Sequence, residues 1–184
     1  MIETRLIADD ITVDAAAGVL EGYAVRYNSE SRPIATRGGS FIETIAPGAF
    51  DRSISETDNV SLHWNHQAQD LPIATTRGGS LTLASDSTGL RFRAELAETT
   101  LGRDVHRLLA SGDLDGAMSF GFHVDKGGDT WSNDRASRRI TSGRLAEISV
   151  VDRGAYAAST SSLNNKPRRR AALLRLGAIR ICKI

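Results

Sequence analysis

The sequence has a single cysteine, Cys182, so no disulfide can form within the chain. Nothing therefore requires an oxidising compartment. No run approaches the ~20 apolar residues that span a bilayer, and Met1 to Asp10 lacks the apolar segment of a secretory signal. We expect a protein of the cytoplasm in which it is made, with no membrane contact.

Acidic residues are missing from the last 19 positions, which carry seven lysines and arginines. The rest of the chain has 16 basic and 22 acidic residues, a charge of −6. This asymmetry predicts two parts, a domain over residues 1–158 and a Ser/Asn linker with a basic tail over residues 159–184. The tail could contact DNA or an acidic scaffold protein. Aromatic residues make up only 5% of the chain, which argues against a dedicated base-stacking surface.

Short β-type segments separated by turn residues dominate the chain, and one segment has clear helical periodicity. The pattern predicts a mainly β (α+β) domain, an antiparallel β-barrel or sandwich with packed helices. The helix should begin at Thr99 or Thr100 and end at Gly112. Loops are expected at Arg32 to Ser40 and at Asp125 to Gly143. The expected strands are Gly18–Asn28, Val60–His66, Leu90–Leu96, Ala117–Val124 and Leu145–Val151, with a shorter one at Leu81–Leu83 and a short apolar segment at Phe41–Ile45.

Ser119 lies on a strand with large apolar residues on one face and small ones beside it on the other. Ala117 and Gly121 flank it on its own face, which leaves room above the hydroxyl. The residue is a candidate nucleophile. A buried serine with a local hydrogen bond is the alternative, since serines in strands are common.

His66 ends an alternating strand, just before a polar segment, where it could reach into a cleft. The ordinary pKa of histidine suits a general base at neutral pH, and a serine hydroxyl needs such a base.

Glu147 lies within the apolar run of another strand, where a carboxylate is costly unless it is paired. It could orient the imidazole of His66. The alternatives are a surface histidine and a solvent-facing glutamate.

A metal site is disfavoured by the spacing of the histidines. His63 and His66 are three residues apart, so in a strand they point to opposite faces. The chain has no C-x-x-C and no H-E-x-x-H motif. No metal or organic cofactor is expected. His123 shares a face with Ser119 but lies four residues along the strand, about 13 Å away at the usual rise.

Six segments follow one another along the chain in a distinctive order. They are GYAVRYN at 22–28, IAPGAF at 45–50, Asn65-His66, MSFGF at 118–122, LAEISVV at 145–151 and Ala155-Tyr156. In this order they resemble the prohead (procapsid maturation) proteases of tailed bacteriophages, which are distantly similar to the herpesvirus assemblins.

The resemblance implies a serine endopeptidase on an assemblin-like β-barrel, with His66 and Ser119 as catalytic residues. Glu147 is the implied third member, and His63 and His123 are reserves because assemblins use a second histidine. Backbone N–H groups in the turn from Asp152 to Ala155, or the side chain of Arg153, could hold the oxyanion.

The implied substrate is the scaffold, or the scaffolding segment of the major capsid protein, inside the procapsid in the host cytoplasm. Self-cleavage and a homodimer are also implied. A non-catalytic assembly factor on the same fold and a nucleic-acid-binding module that uses the basic tail remain alternatives.

Overall fold

The computed structural model describes residues 2–7, 11–56, 59–67, 71–114 and 116–152. Two helices lie in these ranges, α1 (Asp51–Glu56) and α2 (Thr100–Ser111). The strands are β1 (Glu3–Ile7), β2 (Ile11–Asp14), β3 (Val19–Arg26), β4 (Ile34–Thr36), β5 (Gly39–Ile45), β6 (Ser61–Trp64), β7 (Ala74–Thr75), β8 (Leu81–Ser85), β9 (Gly89–Glu95), β10 (Gly116–Val124), β11 (Asp129–Trp131), β12 (Ser137–Ile140) and β13 (Gly143–Asp152).

The strands form three sheets, with the orders β1-β10-β13-β6-β7, β11-β12-β5-β4 and β2-β3-β9-β8. The prediction of a mainly β domain with packed helices is confirmed. The predicted closed barrel is not found, because no sheet closes on itself within the described residues. The strand pairs are mostly antiparallel, as expected, but β6 runs parallel to β13 and β5 runs parallel to β12. Alternation in a sequence shows which side chains are buried, but it does not show which strand lies alongside.

Strand β10 is buried on both faces over residues 117–122. Phe120 and Phe122 on one face make edge-on contacts with Phe50, at ring-centre distances of 6.0 and 5.5 Å. All three rings are almost fully buried. This aromatic cluster fixes the strand that carries Ser119, on the face opposite to that residue.

The expected helix is confirmed, with its predicted ends. The Thr99 hydroxyl accepts a hydrogen bond from the Gly102 N–H at the start of α2. Gly112 ends the helix with φ 75°, a left-handed conformation that glycine adopts without steric cost.

Two predicted loops contain strands instead. The segment from Arg32 to Ser40 includes β4, which pairs with β5, and the segment from Asp125 to Gly143 includes β11 and β12. These strands could not be predicted from their polar and Gly-rich composition, because they have too few apolar residues to show an alternation. The predicted linker and basic tail lie outside the described residues. In the described part of the chain, no helix is long and apolar enough to cross a membrane.

Replacing Phe50 by Ala should destabilise the fold by about 3–5 kcal/mol, because it opens a cavity beneath Phe120 and Phe122. Thermal denaturation of both variants measures the effect. Leu108→Ala, at a position that is 45% exposed, is the control and should cost less than about 1 kcal/mol. Equal losses in the two variants would show that Phe50 is not a core anchor.

Candidate active site

The pairing of β10 with β13 places Ser119 and Glu147 on one face of the five-stranded sheet. Ser119 lies opposite Ser149, and Gly121 lies opposite Glu147, in an antiparallel register. Side chains two residues apart share a face. The hydroxyl of Ser119 and the carboxylate of Glu147 therefore lie on the same side of the sheet.

His66 reaches this face from a strained turn after β6. The strand ends at Trp64, and both Asn65 (φ 48°) and His66 (φ 57°) have left-handed backbone conformations. Such conformations cost on the order of 1–3 kcal/mol each in residues other than glycine. The expectation that the strand extends from Val60 to His66 is therefore wrong at its end, because the strand stops at Trp64.

Asn65 holds this turn against β13 through two hydrogen bonds. Its backbone N–H donates to the Val150 carbonyl at 2.9 Å, and its side-chain oxygen accepts from the Asp152 N–H at 3.1 Å. The position of His66 is thus fixed relative to the strand that carries Glu147. In the sequence Asn65 is only part of a matching segment, and its positioning role could not be predicted.

The three side chains form a continuous chain of hydrogen bonds. Nδ1 of His66 lies 2.5 Å from Oε1 of Glu147, and Nε2 lies 2.7 Å from Oγ of Ser119. The nucleophile candidate is 2% exposed, and the side chains of His66 and Glu147 are 19% and 13% exposed. The site is therefore largely shielded from water, where hydrogen bonds to charged groups are strongest.

Glu147 is held as a carboxylate despite its burial. Burial opposes ionisation, but the hydrogen bond from His66, the nearby charges of His66 and His63, and a hydrogen bond from Ser149 outweigh it. Together they lower the pKa of Glu147 below its ordinary value. An ionised carboxylate at Nδ1 fixes the imidazole orientation that presents Nε2 to the serine.

Gly121 provides the space that Glu147 occupies. A Cβ atom at this position would lie 3.1 Å from Cγ and 3.3 Å from Oε1 of Glu147. The sequence predicted open space above Ser119 from the same glycine. The structure shows that the space holds the carboxylate.

Ser119 has a second partner, which could not be predicted from the sequence. Its Oγ lies 2.7 Å from the backbone carbonyl of Arg5 on β1, which pairs with β10, the strand that carries Ser119. No signal in residues 3–7 marked them as part of the site, because a backbone carbonyl can belong to any residue type.

The other candidates take different positions. His63 is buried on β6 opposite Ser149, and His123 lies opposite Arg144 near the far end of β10. Nδ1 of His66 is already occupied by Glu147.

Of the predicted oxyanion turn only Asp152 is described, and its N–H is engaged by Asn65. Arg153 to Ala155 lie outside the described residues. Among the described residues, no group of three His, Cys, Asp or Glu side chains is arranged to hold a metal.

A family model described as "Caudovirus prohead serine protease" matches residues 5–171, most of the chain. The chain belongs to this family. The match covers all the residues of the hydrogen-bond chain and begins at Arg5 of β1.

A solved structure, that of the capsid assembly protease of bacteriophage T4, has a similar fold. The TM-score is 0.51 at 12% sequence identity, over 82% of this chain and 95% of that one. At this identity the likeness shows the fold alone. No curated protein matches the sequence significantly.

Replacing Gly121 by Ala should lower peptidase activity by about 10- to 100-fold, because the new methyl group displaces the Glu147 carboxylate from His66. The effect should fall on kcat, with little change in the melting temperature. Steady-state kinetics and thermal denaturation measure both quantities. Wild-type kcat in a folded variant would show that the carboxylate tolerates the shift.

Glu147 should contribute to stability above the pKa that its carboxyl has in the unfolded chain. Since the folded state lowers this pKa, the contribution is lost as pH falls through the lower folded value. The difference in unfolding free energy between wild type and Glu147→Gln should therefore shrink below about pH 4.5. Denaturant titrations at a series of pH values measure it, and a difference that stays constant down to pH 3 would contradict the assignment.

Proposed function

We propose that this chain is a serine endopeptidase that cleaves the scaffold, or the scaffolding segment of the major capsid protein, during maturation of a phage procapsid. The observation that carries the proposal is the hydrogen-bond chain from Glu147 through His66 to Ser119. Family membership supports the reaction class and the setting in the procapsid. The fold shared with the T4 capsid assembly protease agrees with it.

Ser119 is the nucleophile in this proposal. Its Oγ attacks the carbonyl carbon of the scissile peptide bond while Nε2 of His66 takes the hydroxyl proton. His66 then gives that proton to the leaving amine, and an acyl ester remains on Ser119. Water attacks the ester, its proton passes to His66, and the acyl group leaves as Oγ takes the proton back.

Glu147 is a positioning residue that remains ionised throughout. It keeps the proton on Nδ1 of His66 and stabilises the imidazolium that forms in both steps. Its lowered pKa supports this role. The oxyanion donors are proposed in residues 153–155, including Arg153, since the N–H of Asp152 is engaged by Asn65. The homodimer, self-cleavage and the contact of the tail with scaffold or DNA stay predictions.

Ser119→Ala should abolish cleavage of the co-expressed capsid protein, with a loss of at least roughly 10⁴-fold. Mass spectrometry of the capsid protein gives the readout. His66→Ala should match it, and Glu147→Gln should lose roughly 10²- to 10⁴-fold because the imidazole is no longer held in its reactive tautomer.

Ser111→Ala, an exposed serine on α2, is the matched control and should leave cleavage intact. A capsid protein of the same mass with wild type and with Ser119→Ala, in particles whose assembly still needs this chain, would favour the non-catalytic assembly factor instead.

A further inference from the structure

Strand β1 covers the nucleophile. Leu6 lies opposite Ser119 and Arg5 lies opposite Phe120 in the antiparallel register, and β1 forms the edge of its sheet. Ser119 is consequently only 2% exposed. A substrate carbonyl cannot reach Oγ of Ser119 while β1 holds this position.

The hydroxyl of Ser119 is also held in an unreactive arrangement. It carries one proton but has two partners at 2.7 Å, Nε2 of His66 and the carbonyl of Arg5. A carbonyl can only accept, so when Oγ donates its proton to Arg5, it has no proton left to donate to Nε2. Nε2 cannot take the serine proton while the Arg5 carbonyl holds it.

The side chain of Arg5 anchors β1 in this place. Nε lies 2.6 Å from one carboxylate oxygen of Glu43, and a terminal nitrogen lies 2.9 Å from the other. Glu43 is 2% exposed and also binds Arg138, at 3.1 Å. A second anchor comes from Glu3, which pairs with both arginines at 2.7 Å. Paired, charge-assisted hydrogen bonds of this kind are the strong ones.

The Arg5 side chain lies at a cavity that continues beyond β1. The cavity has a volume of about 830 Å³, and Arg5, Glu43, Phe120, Tyr27 and Arg32 are among its lining residues. If β1 left, the buried carboxylate of Glu43 would lose one of its two guanidinium partners. A buried carboxylate without a full set of partners is costly, so this place favours another cationic side chain.

We propose that the β10 edge is the peptide-binding edge of this protease and that β1 occupies it as an internal substitute for substrate. In this arrangement Arg5 stands for the substrate residue whose carbonyl is attacked, and Glu43 is the specificity-determining residue. The substrate is an extended segment with Arg or Lys at that position. The inference rests on the proposed function, since it assigns a substrate class and a regulatory strand to the same site.

An edge strand suits this role. β1 has five residues and pairs with the sheet on one side, through β10. A peptide that replaces it recovers the same backbone hydrogen bonds, the mode by which many domains add an extended partner strand to a sheet. Exchange of β1 for substrate would switch the site on only where substrate is concentrated.

The test measures how fast a fluorophosphonate probe labels Ser119 in the full chain, with Ser119→Ala as background. Arg5→Ala should label about tenfold faster or more, because it removes the charge-assisted bonds that hold β1. Arg5→Lys, which keeps the charge, should lie much closer to wild type. Arg52→Ala is the control, since it removes an ion pair with Asp125 and should label at the wild-type rate.

Glu3→Gln tests the second anchor without leaving Glu43 unpaired, because Arg5 and Arg138 stay in place. It should also label several-fold faster, and it keeps the test decisive if Arg5→Ala fails to fold. Equal labelling rates in wild type, Arg5→Ala and Glu3→Gln would overturn the covering role of β1 and leave Ser119 as a reactive nucleophile. Absence of labelling in every folded variant would overturn the proposed function, and this inference with it.

A peptide with the sequence of residues 2–7, IETRLI, tests the substrate class. Added to the Arg5→Ala variant, it should slow labelling of Ser119, whereas IETELI at the same concentration should not, because glutamate at that position meets the Glu43 carboxylate. Equal protection by both peptides would overturn the assignment of Glu43.

Discussion

The antiparallel pairing of β10 with β13 is the constraint on which the site depends. A slip of one residue would turn either Ser119 or Glu147 to the opposite face of the sheet. The turn that carries His66 is held in place by the same strand, because Asn65 forms hydrogen bonds with Val150 and Asp152 of β13. All three members of the hydrogen-bond chain are therefore positioned against one strand, and a displacement of β13 would disturb them together.

Two unfavourable local features are stabilised by their neighbours. The left-handed backbone at Asn65 and His66 is strained, and the Glu147 carboxylate is withdrawn from water. The bonds of Asn65 to β13 offset the first, and those from His66 and Ser149 offset the second. Strain held by surrounding structure is typical of preorganised sites, in which the side chains of the site are fixed relative to one another before substrate binds.

Much of this arrangement could be predicted from the sequence, because side-chain type and spacing carry it. The alternation around Ser119 predicted its strand and the open face, and Thr99 and Gly112 predicted both ends of α2. Parallel neighbours could not be predicted, since an apolar alternation is the same whichever strand lies alongside. The left-handed turn at His66 could not be predicted either, because it depends on the bonds of Asn65 to a strand 85 residues later. The bond between Ser119 and Arg5 uses the backbone carbonyl of Arg5, and every residue type has such a carbonyl.

The two strands that flank β10 in its sheet are synthesised at very different times. Its two neighbours are β1, from residues 3–7, and β13, from residues 143–152. A ribosome releases β1 and the histidine long before the glutamate, so a nascent chain carries the covering strand before it carries a complete set of reactive groups. With the covering role proposed for β1, each molecule would finish folding with β1 already in reach of β10, and synthesis would leave no interval in which the proposed protease site is uncovered.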